Sequence, residues 1–379
     1  MARQTALYSR HVQLGGRMVE FAGWVLPVQY PTGPLEEHHR VRRAAGLFDI
    51  DHMGQVVVSG PDALPFLQRI MTADVSAFEA GSANYSLMCY DDGGVVDDTF
   101  IYRLPGRYFV AINAANNAKD TQWLNYHKAG FDVQVENISD QTYMLALQGP
   151  EAQAILQPLC GHPLASLPFH TAVETTVAGV PTLLGRTGYT GEDGFELFFP
   201  TDHAGLVWDK LMESGAPRGL LPIGLAARDS LRFEACMPLY GQEISAVAGP
   251  IGAGLGWAVS FGKGDFIGRE SLLKVRLEGP PRRLVGFEMT EGGVARHEYD
   301  VVKDGIPCGK VTSGMYAPTV DKFLGMAYVP VQYAAPGTEI GISIRGKVKP
   351  AVVIKRPFYT PAYRQSREGS ESRKGDKRR

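Results

Sequence analysis

The 379-residue sequence has no apolar run approaching the roughly 20 residues that a helix needs to cross a bilayer. Its first residues, Met1-Ala2-Arg3-Gln4-Thr5, also lack the long apolar stretch of a secretory signal, so no membrane role and a cytoplasmic location are expected. It has no Cys-x-x-Cys pair. The four cysteines, Cys89, Cys160, Cys236 and Cys308, lie far apart and read as buried thiols, not as ligands of zinc or an iron–sulfur cluster. It has almost no net charge, −2 from 38 basic and 40 acidic residues, so nothing draws it globally to nucleic acid or an anionic surface. There is no Gly-x-x-x-x-Gly-Lys-Ser/Thr phosphate loop, and Gly252-x-Gly254-x-Gly256 lacks the strand-turn-helix setting of a dinucleotide site; ATP and NAD are disfavoured. His38-His39 beside Glu36-Glu37 has neither zincin nor zinc-finger spacing and reads as a surface helix, so no metal is expected. What remains is 44% apolar and 21% charged, the composition of an ordinary globular enzyme long enough to divide into two or three domains.

Two segments repeat. Val58-Ser59-Gly60-Pro61-Asp62-Ala63 with Phe66-Leu67-Gln68 is echoed by Leu147-Gln148-Gly149-Pro150-Glu151-Ala152 with Ile155-Leu156-Gln157. In both, a β-rich run enters a Gly-Pro-acidic step that starts a helix, because proline presets φ and the acid meets the positive end of the dipole. Tyr108 to Ile112 then leads to Trp123 and Gly130, as Phe195 to Phe199 leads to Trp208 and Gly215, with the same Trp-to-Gly spacing. The pattern predicts a duplicated α+β unit over about 55–130 and 144–215. Asp91-Asp92-Gly93-Gly94 offers the positive-φ residues of a tight hairpin, and therefore antiparallel sheet. A helix is predicted over Ala226 to Ala235. After a Gly-rich connection around Gly249 to Gly268, short apolar runs alternate with turns from about Leu284, which predicts a small all-β domain. Gln365 to Arg379 has no apolar anchor and is expected to be disordered.

Candidate chemistry lies in three places. On a strand from Val95 to Tyr102, alternation puts Val96, Asp98, Phe100 and Tyr102 on one face and Asp97 with Val95, Thr99 and Ile101 on the other. Asp98 among aromatic neighbours suits a grip on a polar, protonatable ligand, with its pKa raised by desolvation unless a cation or donors compensate; spacing alone favours instead two acids that satisfy backbone donors near a turn. Gly185 to Gly194 has a glycine at every third position, which reads as a loop with close backbone approach. Glu196 follows in an apolar strand, where a buried acid needs a partner and an edge strand would leave it in solvent. Arg228 and Arg232, at i and i+4, share a helix face; they fit either solvated ion pairs or a guanidinium fork aimed at a ligand carboxylate. Lys263 and Arg269 flank a turn and receive no role.

Taken in order, Arg17-Met18-Val19-Glu20-Phe21-Ala22-Gly23-Trp24 with Leu26 to Tyr30, Gly46-Leu47-Phe48-Asp49 with His52-Met53, Gly94 to Asp98, Gly188 to Glu196 and Ala227 to Arg232 resemble the aminomethyltransferase family, the T-protein of glycine cleavage, over about 5–364. The resemblance implies an α+β fold shaped as a three-lobed cloverleaf: two duplicated antiparallel α+β lobes and a C-terminal β-barrel around a central folate pocket. It implies a first folate-binding lobe from 1–50 with 140–250, a second from 51–139, a connection at 251–280 and a barrel at 281–364. The implied reaction takes the aminomethyl group from the lipoyl arm of the H-protein, releases ammonia and gives methylenetetrahydrofolate, so tetrahydrofolate is the co-substrate and lipoylated H-protein the partner. Asp98 is then the catalytic carboxylate against the pterin and N10 region, Glu196 holds the amino-pyrimidine edge and Arg228 meets the glutamate tail. Tyr85, Tyr102, Asn113, Tyr189, Tyr240, Trp257, Met53 and Arg364 are implied pocket neighbours.

Three positions depart from the family pattern: Asp51 where serine is usual, Cys236 where glycine is common, and Gly252 where an acid often stands. Two other functions remain compatible with the residues, a folate-dependent demethylase of N-methyl or S-methyl substrates and a non-catalytic folate-binding module. Ammonia release and methylenetetrahydrofolate formation from aminomethylated H-protein separate both from the first.

Overall fold

The structure, a computed structural model, describes residues 2–361; Arg364 and the tail 365–379 lie outside the described residues. The chain opens with a small sheet of β1 (Arg3–Gln4), β2 (Arg17–Phe21) and β3 (Trp24–Gln29), with α1 (Tyr8–Gln13) between the first two, and continues through α2 (Pro34–Arg43) into β4 (Gly46–Asp49). Pro34 begins α2, Glu36 and Glu37 occupy its first turn and three arginines its last, each matching the helix dipole.

Two units of like order follow. In one, β5 (Gly54–Ser59) enters α3 (Ala63–Ile70), the hairpin β6 (Ala83–Cys89) and β7 (Val95–Leu104) returns, and β8 (Arg107–Ile112) leads into α4 (Asn117–His127) and β9 (Gln134–Asn137). In the other, β10 (Thr142–Gln148) enters α5 (Ala152–Leu156), the hairpin β11 (Ala172–Val177) and β12 (Val180–Gly185) returns, and β13 (Gly194–Pro200) leads into α6 (Ala204–Gly215), β14 (Leu221–Ile223) and α7 (Leu225–Glu234). Their sheets share a strand order, β6-β7-β8-β5 and β11-β12-β13-β10, extended by β9 in the first and by β4 and β14 in the second. The duplication expected from the repeats is present. The sheets are not wholly antiparallel, since β14 runs parallel to β4 and β1 to β3.

Side-chain alternation builds three apolar layers from these two sheets. In β10, Tyr143, Leu145 and Leu147 face α5 and α6, and in β8, Tyr108, Val110 and Ile112 face α3 and α4. The residues between them, Met144 and Ala146 of β10 and Phe109 and Ala111 of β8, pack together with Phe48, Tyr102 and Phe198 in a layer shared by the two sheets. One expectation fails here. Val96 packs with Ile101, not with Asp98, because the β6–β7 register shifts between Met88 and Cys89, and such an irregularity reverses alternation locally.

After α8 (Pro250–Ala253), the stretch expected as a connection carries a ten-residue helix, α9 (Arg269–Glu278). The barrel then closes through β15 (Arg282–Met289), β16 (Asp300–Lys303), β17 (Ile306–Ala317), β18 (Lys322–Pro330), β19 (Glu339–Ile344) and β20 (Lys347–Ile354) in the ring order β15-β18-β17-β16-β19-β20. Val285, Phe287, Val301, Val311 and Ile342 fill it, while Leu284, Leu324 and Met326 meet Phe233 of α7. Beside that contact lies a buried polar one. His38 is fully buried, not a surface residue as its sequence setting suggested: its Nδ1 lies 2.7 Å from Ser230 Oγ and its Nε2 2.8 Å from Thr319 Oγ1. The solvent-facing side of α2 carries Leu35, Glu36, Arg40 and Arg43, while Glu37, His38 and Val41 are buried and the helix packs on α7. Arg42 joins the cluster through Glu192 at 3.0 Å and Glu234 at 2.9 Å.

Of the cysteines only Cys89 is fully buried, the other three being half-buried, and all are free thiols. Cys236 stands at φ +54°, in the left-handed region that favours glycine, which accounts for the family preference there. At the β6–β7 turn, a Cβ on Gly94 would lie 1.9 Å from the Ala246 carbonyl oxygen. Backbone on both sides leaves no side chain to yield, so Gly94→Ala should cost about 2–3 kcal/mol. Urea unfolding checks this; a change within about 0.5 kcal/mol would show that the Ala246 segment moves freely.

Candidate active site

A cavity of about 1030 Å³ opens where the layer between the two sheets meets the segments around Pro238 and Trp257. Its lining brings together Asp98, Glu196, Arg228, Tyr85, Asn113, Tyr189, Tyr240, Trp257 and Met53, residues widely separated in sequence. Tyr102 does not line it; that ring is fully buried behind Glu196. Among the described residues no group of three or more His, Cys, Asp or Glu is placed to hold a metal.

Asp98 projects from β7 at the cavity wall. Its Oδ1 accepts from Asn113 Nδ2 at 2.8 Å and its Oδ2 from Tyr85 Oη at 3.1 Å. Burial, and then the charge of Asp97 behind it, push its pKa up to about 7. Asp97 faces away and is fully buried, accepting from Asn113 N at 3.0 Å, Asn113 Nδ2 at 2.9 Å and Asn116 Nδ2 at 2.7 Å. It holds the segment at the head of α4 and does not line the cavity, whereas Asp98 does.

Glu196, on β13, accepts from Tyr102 Oη at 3.1 Å and Thr187 Oγ1 at 2.5 Å through the same oxygen, Oε2. Burial raises its pKa against those two donors and the positive charge of Arg228. Thr187 was not legible as a partner, because one hydroxyl in a Gly-rich loop carries no periodic signal. The loop itself follows its glycines: a Cβ on Gly188 would lie 1.9 Å from Gln148 Oε1, so any side chain there has to displace the buried Gln148 amide, which bonds Thr187 O and Thr190 Oγ1.

The two α7 arginines separate. Arg232 is 1% exposed and donates to Glu243 at 3.0 Å, to Asp229 at 2.8 Å and to Ser313 Oγ at 3.1 Å. Arg228 lies with its guanidinium 4.8 Å from the Tyr189 ring centre and has no ion pair within the described residues. Burial lowers its pKa, which is the cost of holding a cation there. Tyr189 donates to Pro238 O at 2.6 Å, and Tyr240 to Val95 O at 3.1 Å, so both rings are anchored at their hydroxyls. Trp257 is 70% exposed and leans on Tyr85 at 5.5 Å between ring centres. His52, which the sequence reading used only as a landmark beside Met53, also lines the cavity; burial drives its pKa down to about 3, so the ring is neutral. None of the family departures, Asp51, Cys236 and Gly252, lines it.

The chain matches the family described as "GCVT N-terminal domain" over residues 7–263 and that described as "Glycine cleavage T-protein C-terminal barrel domain" over 282–360. It is 49% identical over 371 residues to an aminomethyltransferase of Symbiobacterium thermophilum, covering 96% of this chain and 99% of the relative. It is 47% identical to one of Bacillus subtilis, covering 95% and 99%. Among solved structures, the glycine cleavage system aminomethyltransferase T of Bartonella henselae superposes with a TM-score of 0.90 at 36% identity, covering 95% of this chain and 99% of that one.

Proposed function

This chain belongs to the aminomethyltransferase family of glycine cleavage T-proteins, and on that premise we propose that its central cavity holds tetrahydrofolate between Asp98, Glu196 and Arg228. The enzyme transfers the one-carbon unit of an S-aminomethyl-dihydrolipoyl group to tetrahydrofolate, releasing ammonia. In the balanced reaction the carbon gives up its bonds to sulfur and nitrogen and gains bonds to two folate nitrogens, while the two displaced N–H protons end on the thiol and on ammonia. Docking of lipoylated H-protein and a cytoplasmic location belong to the same reading and rest on kinship.

The observation that carries the assignment is a pair of carboxylates with raised pKa values, Asp98 and Glu196, lining one large cavity with Arg228, which makes no ion pair among the described residues. Among the described residues each has at least one neutral donor but no cation bonded to it, so within them each is short of compensation until a donor-rich ligand arrives. A pterin edge supplies paired N–H donors, and a glutamate tail supplies the carboxylate for Arg228. Bound tetrahydrofolate contributes the nitrogen nucleophile. The protein contributes orientation through Glu196 and Arg228, exclusion of water by the inter-sheet layer, and at Asp98 a carboxylate beside the carbon that becomes positive, poised near neutrality to exchange one of the displaced protons. Asn113 and Tyr85 fix its two oxygens.

A co-crystal structure with tetrahydrofolate tests the placement: the pterin is expected within hydrogen-bond reach of Glu196 and Asp98, and a pterin bound elsewhere overturns the assignment. In solution, Glu196→Gln replaces a charge-assisted acceptor by a neutral amide. The folate Kd should rise about tenfold, or ~1.4 kcal/mol, with kcat at saturating folate altered much less. Isothermal titration and saturation kinetics measure both, and an unchanged Kd removes Glu196 from the site.

A further inference from the structure

Behind Asp98 lies an acid that the reaction as described does not use. Asp120, in the first turn of α4, is 0% exposed, and neither of its oxygens receives a hydrogen bond from any donor in the described residues. Its carboxyl lies against that of Asp97, which is also fully buried and already takes three N–H donors from Asn113 and Asn116. Two ionised carboxylates in that contact would have nothing between them but repulsion. One shared proton turns the same contact into a hydrogen bond. The other charged and titratable groups around the cluster do not displace it: Lys119 stands 4.0 Å from Asp120, beyond hydrogen-bond reach, and directs two of its three N–H donors to Val96 O and Tyr240 Oη, Tyr240 donates to Val95 O, and Tyr85 donates to Asp98.

Building on the assignment of Asp98, we propose that Asp120 is a positioning residue of the active site: it carries a proton, donates it to Asp97, and so fixes the carboxylate that holds Asn113 against Asp98. Burial, and then the bond to Asp97, raise the pKa of Asp120 to about 10, in keeping with a neutral acid at working pH. The relay is continuous: Asp120 to Asp97, Asp97 to Asn113, and Asn113 Nδ2 to both Asp97 Oδ1 and Asp98 Oδ1.

The test has two arms. Infrared difference spectra of wild type against Asp120→Asn at mildly alkaline pH, where Asp98 is ionised, should show a protonated-carboxyl C=O band in the wild type that the variant lacks. Absence of the band means Asp120 is ionised and overturns the proposal, whatever Asp98 does. In kinetics, Asp120→Leu removes the donor and should lower kcat about tenfold with folate Kd changed less than about twofold. Asp120→Asn, which still offers an N–H to Asp97, should recover most of that loss. Equal kcat in Asp120→Leu and wild type, or no recovery in Asp120→Asn, refutes the positioning role. Failure of the assignment on which this rests would appear separately, as full turnover in Asp98→Asn.

Discussion

Asp98→Asn is expected to lower kcat by about a hundred- to a thousandfold while leaving the folate Kd within about threefold. The amide keeps the shape of the side chain and can still meet Asn113 and Tyr85 at 2.8 and 3.1 Å, so binding geometry survives. What disappears is the negative charge beside the reacting carbon and the site that takes up a proton. The pH profile carries the same signature. With the Asp98 pKa at about 7, wild-type kcat should climb between roughly pH 6 and 8 as the carboxylate forms, and that limb should be missing in the variant. Stability should move the opposite way. The folded-state pKa lies above the unfolded value near ~3.9, so the folded protein binds this proton more tightly, and stability falls as pH rises from the unfolded value through the folded one. Above about pH 7 the ligand-free wild type therefore holds a charge at a cost, and Asp98→Asn should melt higher at pH 8, the gap closing as pH falls toward ~4. A variant with near-normal turnover, or one that melts lower at pH 8, would sink this account of Asp98.

Much of the architecture was legible because it is periodic. Matched Gly-Pro-acidic steps at Gly60 and Gly149 and matched Trp-to-Gly intervals revealed a duplication that the shared strand order reproduces. Alternation separated Asp98 from Asp97. It misplaced Val96, since a register shift in a hairpin leaves no mark in hydrophobic spacing. His38 was misread for a related reason: a histidine beside glutamates looks solvated until one knows that Ser230 and Thr319, some two and three hundred residues on, close over it. The cavity drew most of its lining from family resemblance and not from residue physics, because Tyr85, Asn113, Tyr240 and Trp257 carry no spacing relation to one another. Asp120 escaped notice altogether. On the sequence it is one more acid in the first turn of a helix, where acids are common, and only its burial without a donor sets it apart.

The arginines of α7 show the limit most sharply and lead to the largest expected stability effect. At i and i+4 they are equivalent by sequence, yet Arg232→Leu should cost about 3–5 kcal/mol. It strips the guanidinium from Glu243, which is 0% exposed and, among the described residues, is left with Ser313 Oγ at 2.6 Å and Leu239 N at 3.0 Å as its donors. That cluster ties α7 to barrel strand β17 and to the 237–243 segment, whose Pro238, Leu239 and Tyr240 wall the cavity. A fall in Tm of roughly ten degrees should therefore come with weaker folate binding as a secondary effect. Arg228→Leu should do the reverse. With no ion pair among the described residues to break and a buried cation relieved, Tm should hold or rise, while the folate Kd increases about ten- to thirtyfold through loss of a charge-assisted contact. Thermal melts and folate titrations on the two variants decide the matter jointly. If Arg228→Leu melted as low as Arg232→Leu, Arg228 would be a structural cation and the glutamate tail would need another partner.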